Sequence, residues 1–309
     1  MEKKCTITLK EMIFITFRTD LAIETSENIL KENTDFKKKV KILDDLKIVE
    51  IEILTPKSAQ KIGKAPGTYV TIELPHFTDN YENIEAKVKH ISEEIKKLLP
   101  EKGLVLVVGL GNSNITPDAL GPATIDSVLA TRHITGELAR STGLDNLRPV
   151  AALAPGVLGQ TGIEVNEIIS SISKNIRPVA IIAVDALAAK ETSRLGSTIQ
   201  ISNAGISPGS GVGNARPAID QRTIGVPVIS VGVPTVVDAL TLATNVVDFF
   251  GKNQQKDIEN KVNPNHTQMM VTPREIDILI ERAANITAMA INCALHSKFS
   301  YKELLELIS

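Results

Sequence analysis

Two short stretches alternate apolar and polar residues, Ile48–Leu54 (IVEIEIL) and Tyr69–Leu74 (YVTIEL). That period of two predicts half-buried strands. Thr55–Gly67 between them carries Pro, Gly and Lys and reads as a loop. The highly charged Lys37–Asp45 before them reads as exposed. From Tyr81 to Leu99 the period changes. Ile84, Val88, Ile91, Ile95 and Leu98 recur every three or four residues opposite Lys and Glu, the mark of an amphipathic helix that Pro100 and Gly103 end.

The middle of the chain alternates short apolar runs with helical segments. Leu104–Val108, Val150–Leu153, Val179–Val184, Thr198–Ile201 and Val228–Val233 are the expected strands. Ala123–His133, Ile163–Ser173 and Thr235–Phe249 are the expected helices. Gly251–Asn265 is polar and reads as an excursion. Pro273–His296 reads as a long closing helix, with Thr272 as N-cap and Glu275 at the capping-box position. The alternation predicts an α/β fold: a mostly parallel central sheet with helices on both faces, and a small additional N-terminal β region over 48–74.

Composition narrows this picture little. The 309 residues suffice for one large domain, and 43% hydrophobic with 23% charged residues is ordinary for a globular chain. A net charge of −2 and 3% aromatics argue against nucleic-acid binding and against an acidic membrane surface. Two cysteines, Cys5 and Cys293, make no disulfide framework, which fits a reducing, cytoplasmic compartment. No run approaches the ~18 apolar residues of a membrane span. Met12–Phe17 (MIFITF) is too short for a signal-peptide core.

The candidate chemistry lies at two strand ends. Leu104–Gly109 (LVLVVG) runs into NSNITPDALGP, which places Asp118 where open α/β sheets put their ligands. Val179–Ala186 (VAIIAVDA) ends in Asp185 in the same way. Two carboxylates in one cleft cannot both ionise easily. The ionised one can take a proton from water while its protonated partner hydrogen-bonds a carbonyl, which is peptide hydrolysis without metal or covalent intermediate. On spacing alone, a helix-capping Asp118 and a loop-holding Asp185 fit equally well. Asp238 reads as a structural acid inside a helix.

Other motifs fall short of their signatures. GLGNSN (109–114) lacks the third glycine of a dinucleotide fingerprint. The glycine-rich GISPGSGVGNAR (205–216) has no G-K-S/T, so it reads as a substrate-approach loop or a connector, with Gly209 and Gly211 available to bind a peptide. Ser207 and Ser210 have no nearby histidine in sequence. The five histidines form no HExxH or close pair and read as surface or loop residues.

Taken together, RTDLAIE (18–24), VGLGNSNITPDALGP (108–122), LAPGVLGQTGIE (153–164), VDALAA (184–189), TIQISNAGISPGSGVGNAR (198–216), GVPVISVGVPTVVDA (225–239) and VTPREID (271–277) resemble the germination proteases of spore-forming bacteria. The resemblance spans Arg18 to about His296. It implies an atypical aspartic endopeptidase with no metal, nucleotide or other cofactor, on a fold related to the hydrogenase-maturation proteases, with Asp118 and Asp185 as the catalytic pair. It implies a homotetramer in the forespore and spore core that degrades small acid-soluble spore proteins at germination, cutting after Glu in Thr-Glu-(large apolar)-Ala contexts.

Such enzymes are made as zymogens. Thr19-Asp20-Leu21-Ala22 copies the substrate pattern with Asp for Glu. The expectation is self-cleavage between Asp20 and Leu21, leaving 1–20 as propeptide and 21–309 as one catalytic domain. Arg194, Arg216 and Arg222 are candidates to read the substrate carboxylate, because a guanidinium binds it in bidentate fashion. Ser113 and Asn203 depart from the family pattern away from the pair. Two rivals remain on the sequence: a metal-dependent maturation-type protease, and a catalytically inert spore binding protein.

Overall fold

The computed structural model describes residues 18–26, 36–43, 45–79, 83–213, 216–249, 261–262 and 268–308. The expected excursion at 251–265, apart from 261–262, and the MIFITF run lie outside the described residues, as does all of the expected propeptide before Arg18. The strands, in chain order, are β1 (Phe36–Leu43), β2 (Leu46–Ile53), β3 (Gly67–Glu73), β4 (Val105–Gly109), β5 (Val150–Leu153), β6 (Ala180–Ala189), β7 (Thr198–Ser202), β8 (Val228–Asp238) and β9 (Met270–Val271). They form one nine-stranded sheet in the order β1-β2-β3-β7-β8-β6-β4-β5, with β9 paired to β8.

The predicted α/β class is present, and the sheet is mixed. β5, β4, β6 and β8 run parallel, while β7, β3, β2 and β1 continue from β8 in antiparallel pairs. The N-terminal β region, expected beside the main sheet, is therefore its antiparallel half. The reason is the β3–β7 pairing, Tyr69↔Ser202 to Glu73↔Thr198, a long-range ladder with no local signal in sequence. Most of the charged 37–45 stretch forms its edge strand, β1, which is exposed along most of its length and whose lysines blunt an edge that would otherwise template aggregation.

The central strands are apolar on both faces because both faces are covered. Val105 and Val107 of β4, with Ile182 and Val184 of β6, join a core closed by α3 (Ile84–Leu98) and the long α10 (Ile276–Leu295), against which Cys293 packs. Leu106 and Val108, with Ile181 and Ala183, face the opposite way onto α7 (Val165–Ile176). A third cluster joins the chain segment at Leu21–Ile23 to β2, Ile62 and Leu187. By length and composition α10 could cross a membrane. Its thirteen buried residues, five of them alanine, mark it as a core helix, and its polar positions explain why no apolar run stood out in sequence.

Several local expectations are corrected. The 55–67 loop contains a helix, α2 (Pro56–Ile62), because Thr55 and Ser58 form a capping box, Pro56 fits the first turn and Gly63 (φ 70°) closes the end. The helix expected over 123–133 is only α4 (Leu120–Ile125), followed by turns. The helix expected from Thr235 begins at Ala239 (α9, Ala239–Phe249), since β8 runs on to Asp238. There Asp238 accepts from Thr241 N–H (2.9 Å), capping the helix instead of lying within it. Thr272 does not cap α10; its hydroxyl donates to Thr235 O (2.9 Å). His296 is buried, accepting at Nδ1 from Arg148 N–H (3.3 Å), and burial pushes its pKa down to about 4.

Candidate active site

Parallel pairing brings the two strand ends together. Gly109 of β4 lies opposite Val184 of β6, and Leu110 N–H donates to Val184 O (2.8 Å). Beyond Leu110 the chain must turn sharply. Gly111 does this at φ 113°, where a side chain would be strained and would strike the Asp118 carbonyl. A single tight turn over Thr116–Asp118 follows, with Pro117 inside it. Thr235 Oγ1 donates to Pro117 O (2.7 Å), fastening the turn to β8. The Asp118 carboxylate accepts from Asn112 N–H (2.8 Å), so it bridges its own loop and does not cap α4.

Asp185 stands on β6 opposite Gly232 of β8 and is 6% exposed. Burial raises its pKa well above the usual carboxylate value; the charge of Asp118 adds to the rise, as does that of Asp20, against a lowering bond from Ala186 N–H. Burial also raises Asp118, and the Asn112 N–H opposes it. The two carboxyls thus sit in different surroundings. Asp185 is the more deeply buried and is raised further by its neighbours' charges, which favours its protonated form over that of Asp118.

A raised folded-state pKa makes the folded form bind the extra proton. Stability then falls as pH rises from the unfolded value toward the folded one. Asp185→Asn removes that loss. The variant is expected to be more stable than wild type at pH 7 by about 1–2 kcal/mol, with the gap closing as pH falls toward 4. Thermal melts across pH 4–7 check this, and a constant gap would refute it.

Asp118 and Asp185 line one cleft of about 560 Å³, together with Asp20, Asn112, Leu158, Gly209 and Arg216. Of the residues expected to read substrate, Gly209 and Arg216 are here, and Arg216 pairs with Glu164 (3.5 Å). Arg194 is not at the cleft. It holds Glu73 (2.9 Å) and Glu24 (3.4 Å) behind β6, where two acids already engage it. Arg222 caps its neighbour Asp220 (2.9 Å), with its side chain 86% exposed beside a smaller adjoining cavity. Gly211 is buried against Asp20 and Ala188. Among the described residues, no three His, Cys, Asp or Glu side chains gather as metal ligands would.

The substrate-like segment is docked rather than free. Asp20 N–H donates to Ala188 O (2.8 Å), and Ala188 N–H donates back to the Asp20 carboxylate (2.9 Å). Gln200 spans the Asp20–Leu21 peptide: its amide donates to Asp20 O (2.9 Å) and accepts from Ala22 N–H (2.7 Å). Leu21 and Ala22 are fully buried. Residues Ala22–Ser26 form a short helix. Glu24 anchors that helix through Lys190 N–H (2.8 Å) and Glu191 N–H (2.9 Å). Sequence reasoning missed Asn112, Ala188, Gln200 and the Ser210 contact. Two of these act through backbone N–H groups that every residue carries, so no side-chain signal existed for them.

Comparison with known proteins defines the class. The germination protease family profile matches residues 17–267. A germination protease of Clostridium acetobutylicum is 42% identical, over 93% of this chain and 97% of its own length. One of Clostridium perfringens is 39% identical, with the same coverage of each chain. Among solved structures, the NiFe hydrogenase maturation protease HycI from Thermococcus kodakarensis aligns over 64% of this chain and 98% of its own. The TM-score is 0.36 and the identity 15%, too low to bear on the site. The protein is a peptidase, on a mixed-sheet α/β fold. It belongs to the germination protease family.

Proposed function

We propose that this peptidase is an aspartic-type endopeptidase that begins the degradation of small acid-soluble spore proteins when a spore germinates. The observation that carries the reading is the pair Asp118 and Asp185 in one cleft, each raised by burial and Asp185 raised further by its partner's charge. Asp118, ionised and steadied by Asn112 N–H, takes a proton from water. Asp185, protonated, hydrogen-bonds the scissile carbonyl oxygen as negative charge develops there. The proton gained by Asp118 then goes to the leaving nitrogen.

The preferred substrate carries Thr-Glu-(large apolar)-Ala, cut after Glu. The protein is made as a zymogen, works as a homotetramer in the spore core, and self-cleaves between Asp20 and Leu21. The Thr19-Asp20-Leu21-Ala22 segment lies in the cleft region with its scissile carbonyl held by Gln200 and Leu21 buried, as a guarded site would be. Such a bond opens only after the segment loosens, so cleavage is slow. Asp for Glu slows it further, one methylene being worth about 1–3 kcal/mol.

Intact mass against time tests the reading. Full-length wild type, at mildly acidic pH with a chelator present, is expected to lose residues 1–20, while folded Asp118→Asn and Asp185→Asn stay whole. Wild type that clips only when a divalent metal replaces the chelator would point to the metal-dependent alternative. Clipping in both variants at the wild-type rate would remove the pair from the chemistry.

A further inference from the structure

The Asp20 carboxylate marks a binding site built from a backbone amide and a hydroxyl. Oδ2 accepts from Ala188 N–H (2.9 Å) and Oδ1 from Ser210 Oγ (2.8 Å). The wall beneath them is Gly211, where even a methyl would overlap Oδ2 and press on the Ala188 side chain. Three features from two distant parts of the chain, a β6 amide and, on one loop, a hydroxyl beside a missing side chain, thus converge on one carboxylate. Lys64 donates to the neighbouring Thr19 O (3.0 Å) and interacts with Asp20 through its charge. The arginines suggested by sequence are spent elsewhere: Arg194 on Glu24 and Glu73, Arg216 on Glu164, Arg222 on Asp220.

The place of this cradle gives it meaning. Ala188 follows Asp185 by three residues on the same strand, about 10 Å along it, and Asp20 lines the same cleft as Asp118 and Asp185. That span is within reach of one extended residue and its side chain. We propose that Ala188 N–H, Ser210 O–H and the bare Gly211 form an acid-binding subsite for the substrate side chain just before the scissile bond, occupied in this form by the protein's own Asp20. The proposal rests on the endopeptidase reading above and names its specificity residues. Two donors aimed at the two oxygens of one group favour a carboxylate, since charge-assisted bonds are roughly twice as strong as neutral ones. The Ala188 amide cannot turn to accept, so an amide side chain must orient to suit it.

Two measurements test the subsite. In the full-length Asp20→Ala variant the cradle is vacant. Propionate is expected to raise its melting temperature and shift the Ala188 amide NMR signal, whereas propionamide does neither. Wild type, with its cradle filled, and Asp20→Ala/Ser210→Ala are expected to respond weakly. The second measurement is the ratio of kcat/KM for a Thr-Glu-Ile-Ala peptide to that for its Gln counterpart. It is expected to be about tenfold or more in wild type and to fall at least fivefold in Ser210→Ala and in Gly211→Ala, with circular dichroism confirming the fold.

Propionate and propionamide acting alike on Asp20→Ala would overturn the subsite, as would a Glu/Gln ratio untouched by both variants. The first readout needs no catalysis. Propionate binding without any peptide cleavage would uphold the cradle and remove the protease reading, while cleavage without propionate binding would do the reverse.

Discussion

Asparagine in place of either Asp118 or Asp185 is expected to lower kcat on a Thr-Glu-Ile-Ala peptide by about 10³-fold or more, with KM close to wild type. General acid–base catalysis is commonly worth ~10²–10⁴, and in the proposed mechanism one pair supplies both the base and the acid. The amide keeps the shape of the carboxyl, so substrate binding survives while proton transfer does not. The two groups act as a unit, so the double variant should be about as poor as either single one. The wild-type profile should fall on the alkaline side as Asp185 loses its proton and on the acid side as Asp118 gains one, reporting the pair and not two separate residues. Steady-state kinetics from pH 4 to 8 check both points. A single variant retaining a tenth of wild-type kcat would sink the assignment. Asp238 would not be the substitute, since it caps α9 and pairs with Arg18 (3.8 Å).

The second large effect concerns a residue with no chemistry. Gly121→Ala is expected to cost at least about 3 kcal/mol of stability, at the upper end for overpacking. The three atoms a methyl at Gly121 would meet first are all backbone: the Leu110 amide and carbonyl, and the Val184 carbonyl (2.7 Å). None of these is the loose end of a side chain that can swing aside. Leu110 and Val184 are also joined by the hydrogen bond that holds the β4 end against β6. Forcing them apart separates the strands that bring Asp118 and Asp185 together, so activity should fall with stability. Gly159→Ala is the control. Nothing lies within 4 Å of its added methyl, and in the short helix Leu158–Thr161 alanine should be neutral or stabilising by up to ~1 kcal/mol. Urea unfolding of both variants gives the comparison. Equal midpoints would show that the tight β4–β6–α4 contact is not what the glycine serves.

The sequence reading succeeded where the signal was local and strong. The strands through Val107, Ile182 and Val231 carry continuous apolar runs, and the helices through Ile91 and Ile169 carry an apolar stripe. Both patterns follow from burial on known faces. It failed at ends and at joins. Val236 and Val237 read as helix because a helix does follow them, two residues later. Thr55–Gly67 read as loop because its Pro and Gly, which cap a two-turn helix, are also what loops contain. Asp118 and Asp185 were visible as acids at strand ends, and their meeting in one cleft was expected from that placement and from the family resemblance, although nothing in a spacing of 67 residues states that β4 and β6 are neighbours.

From the chain alone follow the α/β class, the two acids, the glycine-rich turns beside them and the motifs that tie the protein to its family. These depend on local periodicity and on residue types with one conformational or chemical use. Only the tertiary structure decided the rest. It made one mixed sheet of two expected ones. It committed Arg194 and Arg222 to nearby acids, put Asp185 in deeper burial than Asp118, and closed Gln200, Ala188 and Ser210 around the Asp20–Leu21 segment. Each of these outcomes depends on which distant backbone groups face one another and how much water is left between them. Those are properties of packing, and no single residue carries them.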